Sequence, residues 1–311
     1  MLFCYLSLII FMNNKPYIAL FVSIVSVSFA AIFIKICNAP SLSIAFYRLF
    51  FTTLLIIPFV LFHKKTRTEL RNLSRSTILI MAGIGLILAA HFALWITSIE
   101  LTSIASSVIL VTAHPLLVGP ISHFFLKERL SAVNAFGIGL SVSGILVLVY
   151  GNYGFAQGLD TLEGNILAIL GGVAAGLYIL GGRKLRKTVS VASYAVVVYA
   201  VGTVALFFTC LLFKAPVYNL SIEDYGIILL MAIVAGIFGH TLYNWSLEYV
   251  RASLASVVLL GEPIGSSLLA FVIPQIHQIP SHYTIFGGGI ILAGIYLTAR
   301  KTRDIESLKN I

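Results

Sequence analysis

Long apolar runs broken by short polar stretches dominate the chain. Ten of these runs are long enough to cross a bilayer as helices, which takes about 20 apolar residues. They fall near 16–37, 41–62, 77–98, 102–125, 131–150, 164–182, 191–213, 225–246, 252–273 and 283–300. None shows the strict apolar–polar alternation of an outer-membrane strand. In lipid each backbone group must be satisfied within its own segment, so the runs are predicted as helices. The fold class expected is an all-α integral membrane protein of ten transmembrane helices. Residues 1–15 read as an N-terminal tail, whose first eleven residues, MLFCYLSLIIF, are apolar but too short to span and lack a signal-peptide pattern.

The connections alternate in basic content. HKKTRTELRNLSR (63–75), KER (127–129), RKLRK (183–187), the tail after Thr298, Lys15 and Arg251 together hold 17 of the 20 Lys and Arg residues. On the opposite side, 151–163 and 274–282 hold none and 214–224 holds only Lys214. The positive-inside rule then places both termini in the cytoplasm of a multi-pass cell-membrane protein. Composition agrees: 59% of residues are hydrophobic and 10% charged, with a mean hydropathy of +1.02, against about 25% charged in soluble domains. Topology accounts for the net charge of +9, so a nucleic-acid partner is not called for. Cys4, Cys37 and Cys210 lie far apart, with no disulfide or metal spacing.

An internal repeat organises the chain. A shift of 148 superposes Ser98 on Ser246, Glu100 on Glu248 and Pro115 on Pro263. A shift of 150 superposes Gly137, Gly139, Gly144 and Ile145 on Gly287, Gly289, Gly294 and Ile295. Each half holds five spans. Five is odd, so the second half enters from the opposite side: an inverted repeat of the kind found in secondary transporters, with a site near the midplane. The units are 16–150 and 164–300, joined by an external linker, 151–163, and followed by a cytoplasmic tail, 301–311. Small-residue spacings at Gly139/Ser143, Gly289/Ala293, Gly171/Ala175 and Gly172/Gly176 are expected packing seams.

Polar residues inside the spans are few and are the candidates for function. Arg48 lies in the second span, His91 and Trp95 share one face of the third with Ser98, and His240, Tyr243 and Asn244 share a face of the eighth. These are the candidate substrate-binding residues, and interhelical hydrogen bonding is the competing role for each stripe. Tyr178 is expected to pack. Glu262 and its repeat partner His114 each precede a mid-span proline and are the candidate proton-coupling pair. For Glu262, a neutral hydrogen-bonded acid and an ion pair with Arg48 are the alternatives. Pro115, Pro120 and Pro263 are the expected kinks, each freeing a carbonyl four residues earlier.

YRLF in the second span, HFALWITSIELTSIASSVILVTAHPLL, KERLS and SLEYVRASLASVVLLGEP together resemble the EamA branch of the drug/metabolite transporter superfamily over nearly all of 16–300. PQIHQIP after the ninth span departs from that pattern. The resemblance implies export or exchange of small metabolites, amino acids among them, through a central cavity. The expected partners are a small-molecule substrate, the lipid bilayer and, as an open option, a second copy in a homodimer. A channel or non-transporting receptor is the rival reading, and an intramembrane enzyme a more distant one: mid-span aspartate pairs, His-Glu-x-x-His and a nucleophile elbow are all absent from the sequence. No catalytic residue, metal site or cofactor is implied.

Overall fold

A computed structural model describes residues 2–102, 104–128, 130–153, 162–273 and 282–300. The C-terminal tail, most of PQIHQIPSH, Arg129 and residues 154–161 of the linker lie outside the described residues. The α-helices are α1 Leu2–Ile36, α2 Ser41–Phe62, α3 Lys64–Asn72, α4 Arg75–Leu101, α5 Ile104–Thr112, α6 Pro115–Phe125, α7 Ala132–Tyr153, α8 Leu162–Leu185, α9 Val191–Leu212, α10 Ile222–Met231, α11 Leu242–Ser246, α12 Ala252–Val258, α13 Glu262–Val272 and α14 His282–Arg300. A π-helical segment, Ala232–Thr241, joins α10 to α11, and a 3-10 turn, Leu259–Gly261, joins α12 to α13. Among the described residues, seven helical stretches are long and apolar enough to cross a membrane, and three shorter apolar helices accompany them.

Several expectations change at the level of elements. Residues 2–15 continue α1 as helix rather than forming a separate tail. The basic stretch after α2 contains a helix, α3, pinned to the bundle by Glu69. The expected fourth span is two helices, with a turn at Ala113–His114 and Pro115 at the first position of α6. The ninth is likewise divided, by the 3-10 turn ahead of Pro263. Pro starts a helix readily because its missing N–H would have no partner there. Pro120 does not break α6: its ring faces outward from the bundle and the helix runs on to Phe125.

Helices that correspond in the two halves pack antiparallel. In α7 and α14 the Asn134 side-chain amide donates to the Thr298 carbonyl (2.8 Å) and the Ser141 hydroxyl to the Ile291 carbonyl (3.3 Å). A Cβ on Gly137 would lie 2.8 Å from the Gly294 carbonyl, and one on Gly144 2.7 Å from that of Gly287. The shift of 150 exchanges these two contacts. The seam therefore runs through Gly137, Ser141, Gly144, Gly287 and Gly294. Gly139 and Gly289, the expected seam residues, have open space around them. They lie on the wrong face of the same helices. Helices α2 and α9 meet in the same antiparallel way through Phe46/Phe207 and a Thr53–Thr203 hydroxyl pair 3.1 Å apart.

Carboxylates from neighbouring segments close several helix N-termini, where unpaired backbone N–H groups favour negative charge. Glu100 accepts from Ser41 N–H (2.8 Å), Glu128 from Ala252 N–H (2.9 Å), and Glu69 from Ser190 N–H (2.8 Å) and the Ser193 hydroxyl (2.6 Å). Asp224, expected in a loop, sits in the first turn of α10 and accepts from Asn38 N–H (2.8 Å). The acids outside the interior thus join segments to one another.

Candidate functional site

A cavity of about 60 Å³, counted as room for the centres of water molecules and so enough for a handful of them, lies in the middle of the bundle. Its wall is built from both halves in register. Val27 and Ala175, Ala30 and Tyr178, Trp95 and Tyr243, Val111 and Leu259, and His114 and Glu262 all line it, and each pair is 148 residues apart. The supporting hydrogen bonds obey the same relation. His91 Nδ1 donates to the Gly171 carbonyl (2.9 Å), while Ser23, the repeat equivalent of Gly171, donates to the carbonyl of Gly239, the equivalent of His91 (2.9 Å).

The structure brings together Arg48, His91, Trp95, His114, His240, Tyr243 and Glu262 on this wall. Asn244 is the candidate it does not place there. Fully buried, Asn244 donates its side-chain amide to the Tyr178 and Tyr199 hydroxyls, and its backbone carbonyl accepts from Arg186 Nε (3.0 Å). It stands behind the cavity and holds Tyr178, which does line it and is more than the packing residue expected. Tyr243 and Asn244 are adjacent in α11 and so point about 100° apart, and only Tyr243 reaches the cavity. The lower end of the third-span stripe is interhelical: Ser98 pairs with Ser107 at 2.6 Å.

Arg48 is the dominant feature. It is 1% exposed, and its Nε and both terminal nitrogens lack hydrogen-bond partners. Its guanidinium carbon lies 4.5 Å from the Phe92 ring centroid and 5.9 Å from that of Trp95. His91 stacks on Trp95 with ring centroids 5.8 Å apart, and His240 meets Phe92 edge-on. Because a carbonyl only accepts, the Gly171 bond fixes the His91 hydrogen on Nδ1 and leaves Nε2 as the acceptor of the neutral ring. Arg48 and Glu262 interact electrostatically, yet neither ion pair among the described residues joins them. The direct Arg48–Glu262 pair weighed from the sequence is absent.

The prolines act differently from expectation. The carbonyl freed by Pro263 at Leu259 is taken by Glu262 N–H in the 3-10 turn. The one freed by Pro115 at Val111 lies against Gly172, where a Cβ would come within 2.7 Å of it. The Leu259 carbonyl is therefore not a spare acceptor for a ligand.

Sequence reasoning missed Ser23, Val27, Ala30, Thr112, Ala175 and Ile179 in the wall. The repeat shift applied to known candidates pairs Ala30 with Tyr178, and this was the available signal. It also missed a network at the basic end. There Glu128 receives Arg183 Nε at 2.6 Å, Arg183 donates to the Leu247 and Glu248 carbonyls, and Arg186 reaches Glu248 at 2.6 Å. Among the described residues, no cluster of three or more metal-ligating side chains occurs.

The cavity is shared by the two halves at the centre of the helix bundle, and comparison gives the family. Residues 14–150 and 162–300 each match the EamA-like transporter family. The chain belongs to that family. It is similar to an uncharacterized transporter of Archaeoglobus fulgidus, with 24% identity over 299 residues covering 93% of this chain and 99% of the relative. It is also similar to the uncharacterized transporter YyaM of Bacillus subtilis, with 23% identity over 210 residues covering 67% and 68%. A solved crystal structure superposes with a TM-score of 0.75 at 19% identity, covering 94% of this chain and 99% of the other, which shows a shared fold.

Proposed function

We propose that the chain is a secondary carrier of small polar metabolites, amino acids among them, working as an exporter or exchanger by alternating access. Its ten spans form two inverted five-helix repeats in the cell membrane, with both termini cytoplasmic. The observation that carries this reading is the cavity wall, whose residues pair across the two halves at one constant shift. A site built on the pseudo-two-fold can be offered to either face by rocking one half against the other. The antiparallel packing of α7 with α14 and of α2 with α9 supports the inversion, and the basic connections support the orientation.

Glu262, with His114 as its counterpart, is the proposed proton-coupling group. In proteoliposomes, flux of a transported metabolite is expected to saturate and to show counterflow. Linear, non-saturating flux would mean a channel and overturn the reading. Glu262→Gln is expected to reach the membrane and lose pH-gradient-driven flux. Unchanged gradient-driven flux would remove Glu262 from coupling.

A further inference from the structure

Arg48 is buried, always charged and without a hydrogen-bond partner at any of its three side-chain nitrogens. A buried charge left without a partner costs several kcal/mol. The rings of Phe92 and Trp95 offset part of that by cation–π attraction. The remaining deficit faces the cavity, and other donors share it. Trp95 Nε1 and the Tyr243 hydroxyl line the same space, are buried and make no hydrogen bond. A ligand that satisfies this wall must be rich in acceptors and negatively charged where it meets Arg48, and the planar guanidinium fork matches a carboxylate.

The seat is single. Under the shift of 148 the equivalent of Arg48 is Val196, which does not line the cavity. The site is therefore symmetric in shape and asymmetric in charge. The titratable groups that face it are His91 on α4, His114 after α5, Tyr178 on α8, His240 and Tyr243 around α11, and Glu262 on α13. Of these, Glu262 alone carries a negative charge when ionised at neutral pH. When ionised, Glu262 is the group of opposite sign to Arg48 on this wall. A carboxylate arriving beside it would leave two negative charges against one positive charge at low dielectric, where such repulsion is strong.

Resting on the carrier reading above, we propose that the substrate is a small monoanionic carboxylate seated on Arg48, and that its arrival is accompanied by protonation of Glu262. The exchange balances: one substrate carboxylate and one proton enter from the aqueous phase, the Glu262 carboxylate becomes a carboxylic acid, and the net charge of the site is unchanged. No covalent bond other than that O–H forms or breaks. Substrate and proton then bind together, and their joint movement is electroneutral.

The test is ligand binding on the purified full chain carrying Trp245→Phe, so that Trp95 is the remaining one of two tryptophans and reports on the site by fluorescence. Acetate, lactate and pyruvate are titrated against acetamide, lactamide and pyruvamide, with a pH indicator in weak buffer. At least one carboxylate is expected to bind tenfold or more tightly than its amide. It should take up about one proton per molecule bound. Arg48→Leu should weaken it at least tenfold, whereas Arg48→Lys should retain part of the affinity. Removing a buried unpaired charge should not impair folding, so a well-folded Arg48→Leu protein is expected. Glu262→Gln should bind the carboxylate without proton uptake.

Amides binding as tightly as acids, no carboxylate bound at all, or affinity unchanged in Arg48→Leu would each overturn the anion seat. Proton uptake persisting in Glu262→Gln would overturn the exchange. Carboxylate binding without counterflow would sink the carrier reading alone. Counterflow of neutral metabolites without carboxylate preference would sink only the present proposal.

Discussion

Glu128 shows how much one side chain can hold. Its carboxylate pairs with Arg183 and closes the N-terminus of α12, with both side chains nearly sealed from solvent (6% and 10% exposed). Removing one partner of a buried pair strands the other, at a cost of about 3–5 kcal/mol. Glu128→Ala is expected to lower the unfolding free energy of the purified protein by that amount, read from its denaturant titration. Glu248→Ala should cost far less, because Glu248 is 38% exposed and solvent screens its pair with Arg186. Equal losses would contradict this reading.

Glu69 makes a pH prediction. Burial alone would raise its pKa. The hydrogen bonds from Ser190 and Ser193 and the nearby Arg186 charge outweigh burial and hold it below the ordinary carboxylate value of 4.5. A lowered folded-state pKa stabilises the docked α3 fully above the unfolded value, and that stability is lost as pH falls through the lower folded value. Protection of the α3 amides, taken relative to their intrinsic exchange rates, should therefore fall under acid and hold constant near neutrality. Glu69→Gln should already show low protection at neutral pH, and undiminished protection in that variant would refute the docking role.

The residues legible from sequence were the costly ones. Arg48, His114 and Glu262 stood out because an ionisable group in an apolar run needs a reason. Val27, Ala30 and Ile179 of the same wall did not, since an apolar residue facing a cavity reads the same as one facing lipid.

At the scale of elements, helix phase decides what a glycine does. Gly137 and Gly139 sit two residues apart in α7, yet one meets a backbone carbonyl and the other open space. Gly137→Ala should force α7 from α14 and cost about 1–3 kcal/mol by overpacking. Gly139→Ala should be neutral or stabilise by about 0.4–1 kcal/mol, since its helical backbone suits alanine. Thermal unfolding of the two variants compares them directly, and a reversed order would place the seam elsewhere. The spacing of small residues announced that seams exist, while the choice among registers came from the facing helix. The divided spans follow the same pattern. Proline marked where α6 and α13 begin, but the 3-10 turn that satisfies Leu259 is a product of the local fold, and nothing in the residue order announced the π-helical segment Ala232–Thr241.

At the scale of the whole molecule, the halves make one site between them. Co-expressed fragments cut between the two matched segments, within 154–161, should reassemble and recover carboxylate binding, and neither fragment alone should bind. Binding by a single half would contradict a cavity shared across the repeat. By itself the sequence determined that the chain lives in lipid as helices, where the basic connections lie, that the chain repeats, and which few polar groups are expensive to bury. These are local properties of composition and spacing. Only the tertiary structure decided which faces of those helices meet, that the repeat brings its equivalent positions onto one cavity wall, and that Arg48 stands there without a partner. Contacts between residues about 150 positions apart depend on helix phase and packing, and a one-residue change of register rotates a helical side chain by about 100°.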